Sequence, residues 1–173
     1  LVSARTHLNR SYAFLLKNLP GEAAQEARRA IGLDPELAQA YNNLGIAYTK
    51  QGRVREAEEA FGKAVELDPL YKDALANLAG LLAALGKRRE ALGHYLKALA
   101  IAPTDGVLHN NIAVLYFKEG SFDKARDHAR KAMDLGVNVD PGFLDELMDR
   151  ADATRQHRSR DGERLQQRWR PVE

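Results

Sequence analysis

The strongest constraint in this sequence is a period. Pro35, Pro69 and Pro103 stand 34 residues apart, and Gly52, Gly86 and Gly120 keep the same interval. Ala23, Ala57, Ala91 and Ala125 form a third column, and Ala30, Ala64, Ala98 and Ala132 a fourth. Asn18 occupies the place one period before Gly52, and asparagine is the next-best residue for a left-handed turn. A fixed period of this length marks a repeat architecture, in which each unit buries its apolar face only against its neighbours.

The phasing defines four units: 4–37, 38–71, 72–105 and 106–139. Within each, apolar residues recur at helical rather than strand spacing. One segment of about 14 residues runs to the glycine or asparagine, and a second runs to the proline. Each unit is therefore expected to be two antiparallel helices. The glycine permits the tight turn between them, and the proline separates one unit from the next. Alanines at fixed places mark where two helices approach too closely for larger side chains. The fold class is accordingly all-α.

The signature residues are dense. Unit two reads Tyr41-x2-Leu44-Gly45-x2-Tyr48, then Ala57-x3-Phe61, then Ala64 and Pro69. Unit three keeps Leu78, Leu82, Ala91, Tyr95, Ala98 and Pro103, with Ala79 in place of glycine. Unit four keeps Ile112, Ala113, Tyr116, Ala125 and Ala132, but Val137 replaces the proline. Unit one departs most, with His7, Arg10 and Ser11 at signature positions of its first helix. This pattern resembles the tetratricopeptide repeat over residues 4–139. The resemblance implies a right-handed α-α superhelix, a solenoid with a concave face lined by the first helix of each unit.

Two further segments follow. Asp140-Pro141 reads as an N-cap with proline at the first helical position. Phe143, Leu144, Leu147, Met148 and Ala151 then make one apolar stripe, so 140–154 is expected to be a capping helix on the second helix of unit four. Residues 155–173 carry six arginines against Asp161, Glu163 and Glu173, a local charge of +3 in a chain whose formal net charge is +2. That segment is expected to be a mobile basic tail. Arg164, Arg168, Trp169 and Arg170 within it are candidates for contacting a partner, because arginine beside an exposed aromatic suits an acidic surface or RNA.

By the resemblance, the concave face is lined by the second, fifth, sixth, ninth, twelfth and thirteenth residues of each unit. The sixth is always asparagine: Asn9, Asn43, Asn77 and Asn111. The fifth adds Asn42 and Asn110, and the ninth Tyr12, Ile46 and Val114. Phe117 is at the twelfth and Lys50 at the thirteenth. An amide carries both donor and acceptor, so a row of amides can match the peptide units of an extended chain without reading its side chains. The row resembles the asparagine ladder with which some superhelical members of the family hold a peptide. The alternative is that these asparagines brace neighbouring helices and bind nothing. A basic clamp for a terminal carboxylate is disfavoured, since the matching positions hold Leu8, Tyr12, Asp73 and Asn77, with only Asn43 agreeing.

Other chemistry finds little support. The chain has no cysteine, so disulfides and thiolate metal sites are excluded. There is no glycine-rich phosphate loop. The five histidines are scattered, and His94 and His128 lie one repeat apart, too far to share a metal. No cofactor, metal or catalysis is expected. No apolar run is long enough to span a membrane. The chain begins at Leu1 rather than Met, so an upstream segment is expected to have been removed. The expected compartment is cytoplasmic, with export or an upstream membrane anchor as the alternative. An alanine-, arginine- and leucine-rich composition fits a bacterial source. The functional expectation is a non-catalytic scaffold that binds an extended, largely uncharged peptide. The alternatives are a self-assembling scaffold subunit, or association of the arginine-rich tail with nucleic acid or another acidic surface.

Overall fold

The computed structural model describes residues 3–168, with side chains through Gln156. Among the described residues all regular structure is helical. The helices are α1 (Ala4–Leu16), α2 (Pro20–Leu33), α3 (Ala38–Lys50), α4 (Val54–Leu67), α5 (Lys72–Ala84), α6 (Arg88–Ile101), α7 (Gly106–Lys118), α8 (Phe122–Asp134) and α9 (Pro141–Arg168). They form two compact units, Leu1–Thr104 with α1–α6 and Asp105–Glu173 with α7–α9.

Each helix pair closes through the same turn. Leu19 N–H donates to Phe14 C=O, Arg53 to Tyr48, Lys87 to Leu82 and Ser121 to Tyr116, all at 2.9 Å. This is the six-to-one bond of a Schellman ending, which needs one residue in the left-handed region. Gly52 supplies it at φ 73°, and Asn18 takes the same place in the first pair at φ 55°. The intervening aspartates organise the other turns. Asp34 Oδ1 accepts from Glu36 N–H at 3.1 Å, and Asp68 Oδ1 from Leu70 N–H at 3.0 Å.

Both alanine columns are completely buried: Ala23, Ala57, Ala91 and Ala125, and Ala30, Ala64, Ala98 and Ala132, all show no exposed surface. Larger side chains there would force the paired helices apart. A third column is small for the same reason. Ser11, Gly45, Ala79 and Ala113 share one register, sixteen residues before Ala27, Phe61, Tyr95 and Ala129. At Gly45 the fit is tightest, since a Cβ there would lie 2.5–2.9 Å from the Phe61 ring. In the first pair Ser11 is wholly buried, and its hydroxyl donates to Ala23 C=O at 2.9 Å. The polar atom that looked foreign to the repeat therefore binds the two helices together.

In the second unit, α9 packs on α8. Asp140 Oδ1 accepts from Phe143 N–H at 2.8 Å, which starts α9. Leu147 is fully buried against Ala113, Ala125 and Ala129. Met148 departs from the expected stripe: it is 44 % exposed, on the rim of a cleft of about 390 Å3 between α8 and α9. The helix also continues through Gly162 to Arg168, beyond the 140–154 expected for a capping helix.

Gly45→Ala should cost roughly 1–3 kcal/mol through overpacking against Phe61. A thermal melt should show a clear fall in Tm. The same substitution at Gly62, where a Cβ would meet no neighbour within 4 Å, should leave Tm level or slightly higher.

Candidate functional site

In the unit Leu1–Thr104, first helices pack on first helices: α1 touches α3, and α3 touches α5. The second helices α2, α4 and α6 make no comparable contact with one another. Closer packing on one side turns the first-helix layer inward, so its open side is the concave face of this unit.

The side chains expected to line that face separate into different environments. Tyr12 is 57 % exposed and Asn9 is exposed beside it on α1. Ile46 is half-buried. Lys50 is exposed, and its Nζ donates to Asn18 Oδ1 at 3.1 Å. Asn42 and Asn43 are both buried, at 4 % and 6 % exposure. Their hydrogen bonding is opposite. Asn77 Nδ2 on α5 donates to Asn42 Oδ1 at 2.9 Å, and Asn42 Nδ2 donates to the Tyr71 hydroxyl at 3.4 Å. Burial and the nearby Asp73 carboxylate raise the Tyr71 phenol above its ordinary value, so it stays protonated. Asn42 and Asn77 thus form a bracket between α3 and α5. Asn43 makes no side-chain hydrogen bond with any described residue. Its amide keeps both donor and acceptor available at the base of the face.

In the second unit Asn110, Asn111 and Val114 are half-buried on α7. Phe117 is packed edge-on against Phe122 and Phe143, with ring centroids 5.5 Å and 5.3 Å away. Its ring therefore belongs to the seat of α9 as much as to any open face. The side chains of Arg164 and Arg168, and residues Trp169 and Arg170 entirely, lie outside the described residues.

The chain's matches to known proteins bear on the repeat fold. Models of the tetratricopeptide repeat match residues 38–71, 74–107 and 94–127. The chain belongs to the tetratricopeptide repeat family. The solved structure of MamA is similar over 78 % of each chain at 25 % identity, with a TM-score of 0.71. PilF of Pseudomonas aeruginosa is similar over 88 % of this chain and 73 % of its own, at 23 % identity and a TM-score of 0.74. None of the curated proteins matches the sequence significantly. The fold is thus the all-α superhelical repeat, and the tetratricopeptide architecture makes the chain a protein-interaction scaffold. Tetratricopeptide modules of this kind are typically non-catalytic. Among the described residues no helix is long and apolar enough to cross a membrane.

One functional-looking feature escaped the sequence reading. His7 and Glu26 are nineteen residues apart, and Nδ1 meets Oε2 at 2.6 Å across α1 and α2. Glu26 is only 6 % exposed, and Arg29 Nη1 holds its other oxygen at 2.5 Å. The His7 hydrogen bond, followed by Arg29, outweighs burial and holds the Glu26 carboxyl below its ordinary value. The spacing recurs at His109 and His128, and that recurrence was the available signal.

A carboxyl held low in the folded state stabilises above its ordinary range, and the benefit disappears as pH falls through the lowered value. Glu26→Gln should therefore reduce Tm at pH 7 and flatten its acid dependence below about pH 4. Melts of both proteins from pH 7 to 3 test this, and parallel curves would count against it.

Proposed function

We propose that the concave face of the tetratricopeptide scaffold binds an extended, largely uncharged peptide, with Asn43 as the central contact. The supporting observation is the state of Asn43: buried, amide-bearing, and without a side-chain partner among the described residues. Its unpartnered amide atoms keep contact with solvent, so a ligand's peptide group can reach them. Asn9 and Tyr12 extend the contact along α1, and Ile46 adds apolar surface. Asn42 and Asn77 act one step back, keeping α3 and α5 in register through their mutual bond. Within the second unit, Asn110, Asn111 and Val114 hold the equivalent register positions on α7. The absence of a basic clamp argues for internal peptide segments over carboxylate ends.

A peptide display library selected on the full chain supplies the ligands for a test. Asn43→Ala should weaken selected peptides about tenfold, corresponding to roughly 1.4 kcal/mol, and leave Tm nearly unchanged. Asn42→Ala should instead lower Tm. Peptides that bind the Asn43 variant at full strength, or a library without binders, would reject the reading.

Self-association is the second reading, and it rests on Tyr12 and Leu16, which are 57 % and 70 % exposed on neighbouring turns of α1. Light scattering across a dilution series should then show a dimer that Leu16→Glu dissolves. A monomer at all concentrations removes it.

A further inference from the structure

Position four of the repeat faces position twenty-three in the first and fourth units. The four pairs are His7 and Glu26, Tyr41 and Ala60, Leu75 and His94, and His109 and His128. In two repeats the pair is a direct hydrogen bond across the helices of the unit. In the third, His94 has an apolar residue at the pairing position, and its Nδ1 is buried without a partner. The fold therefore places an imidazole inside a helix–helix seam in a systematic way, and the fourth repeat places two.

His109 Nδ1 and His128 Nδ1 are 2.9 Å apart, and His109 is 4 % exposed. Two nitrogens at that distance need one proton between them. When both rings are neutral, one Nδ1–H donates and the other Nδ1 accepts. A first added proton goes to Nε2 of the donor ring and leaves the shared bond in place. A second must go to the accepting Nδ1. Both nitrogens would then be donors on cationic rings, and the pair must open.

We propose that His109 and His128 form an acid-released latch that fastens α7 to α8 and, through α8, seats α9. The charged and titratable groups around the latch do not oppose this. On α8, Lys131 disfavours added positive charge and Asp127 favours it. Arg126 Nη2 also lies 3.8 Å from Asp127 Oδ1. On α7, the Tyr116 ring lies 5.6 Å from the His128 ring and carries Lys124 Nζ 5.3 Å from its centroid. From α9, Arg155 reaches α8 at Asp123, 3.4 Å away, where Arg126 Nη1 also stands. Burial first, then the His109 charge, holds His128 below its ordinary value. A histidine held low when folded stabilises the fold above about pH 6.5, and the contribution is lost as pH falls through the lowered value. The opening acts on the core that Ala125 and Ala129 of α8 share with Leu147 of α9.

The test uses the full chain. Imidazole resonances followed by NMR from pH 8 to 4.5 should show His128 titrating below its ordinary value in a step coupled to its partner ring. That step should coincide with broadening of amides in α8 and α9. Two rings that titrate independently near the ordinary value would overturn the proposal. The double variant His109→Tyr, His128→Ala installs the pair that the second repeat already carries. It should lose less Tm than the wild type between pH 7 and 5, with His94 common to both. Equal losses would also overturn the latch. If the double variant does not fold, the wild-type titration decides alone.

Discussion

The close approach of two helices along a line of alanines is the contact on which the other features depend. Ala23 and Ala30, with their counterparts in every repeat, have no exposed surface. A methyl group is the largest side chain such a seam tolerates without strain. Once the seam is set, the length of the connecting turn and the position of its left-handed residue follow. The third column then varies: Gly45 meets the ring of Phe61, whereas the small pair Ala113 and Ala129 is packed by Leu147 of α9.

The seam also decides where polar groups can be buried. Each repeat encloses a few positions that face across it, and polar atoms there must find partners within the helix pair. Ser11 does so through the Ala23 carbonyl, His7 through Glu26, and His109 through His128. His94 Nδ1 does not. These internal pairs are distinct from the amides proposed to meet a ligand. A scaffold of this type therefore carries two separate chemistries: amides on the open side of the first helices, and imidazoles within the helix pairs.

Much of this was legible in the linear chain. The 34-residue period located every helix pair, and the turn role of Asn18 followed from its phase with Gly52. The N-cap at Asp140 was readable because capping chemistry is local. The extent of α9 was not, since Gly162 and a polar composition suggest an ending where the helix continues to Arg168. Nor were the states of the asparagines. Sequence position makes Asn9, Asn43 and Asn77 equivalent, yet one is exposed, one is buried without a partner, and one is bonded to Asn42.

The sequence by itself determined the repeat, its helix pairs and its turns, because these rest on backbone propensities and on side-chain volume at fixed spacing. Both act over a few residues and recur with the period. Only the tertiary structure decided which polar side chains face each other. That depends on the relative rotation and axial offset of packed helices, quantities to which the pattern of apolar residues is insensitive. A shift of less than one helical turn would separate Asn42 from Asn77 and His109 from His128, and leave the repeat signature intact.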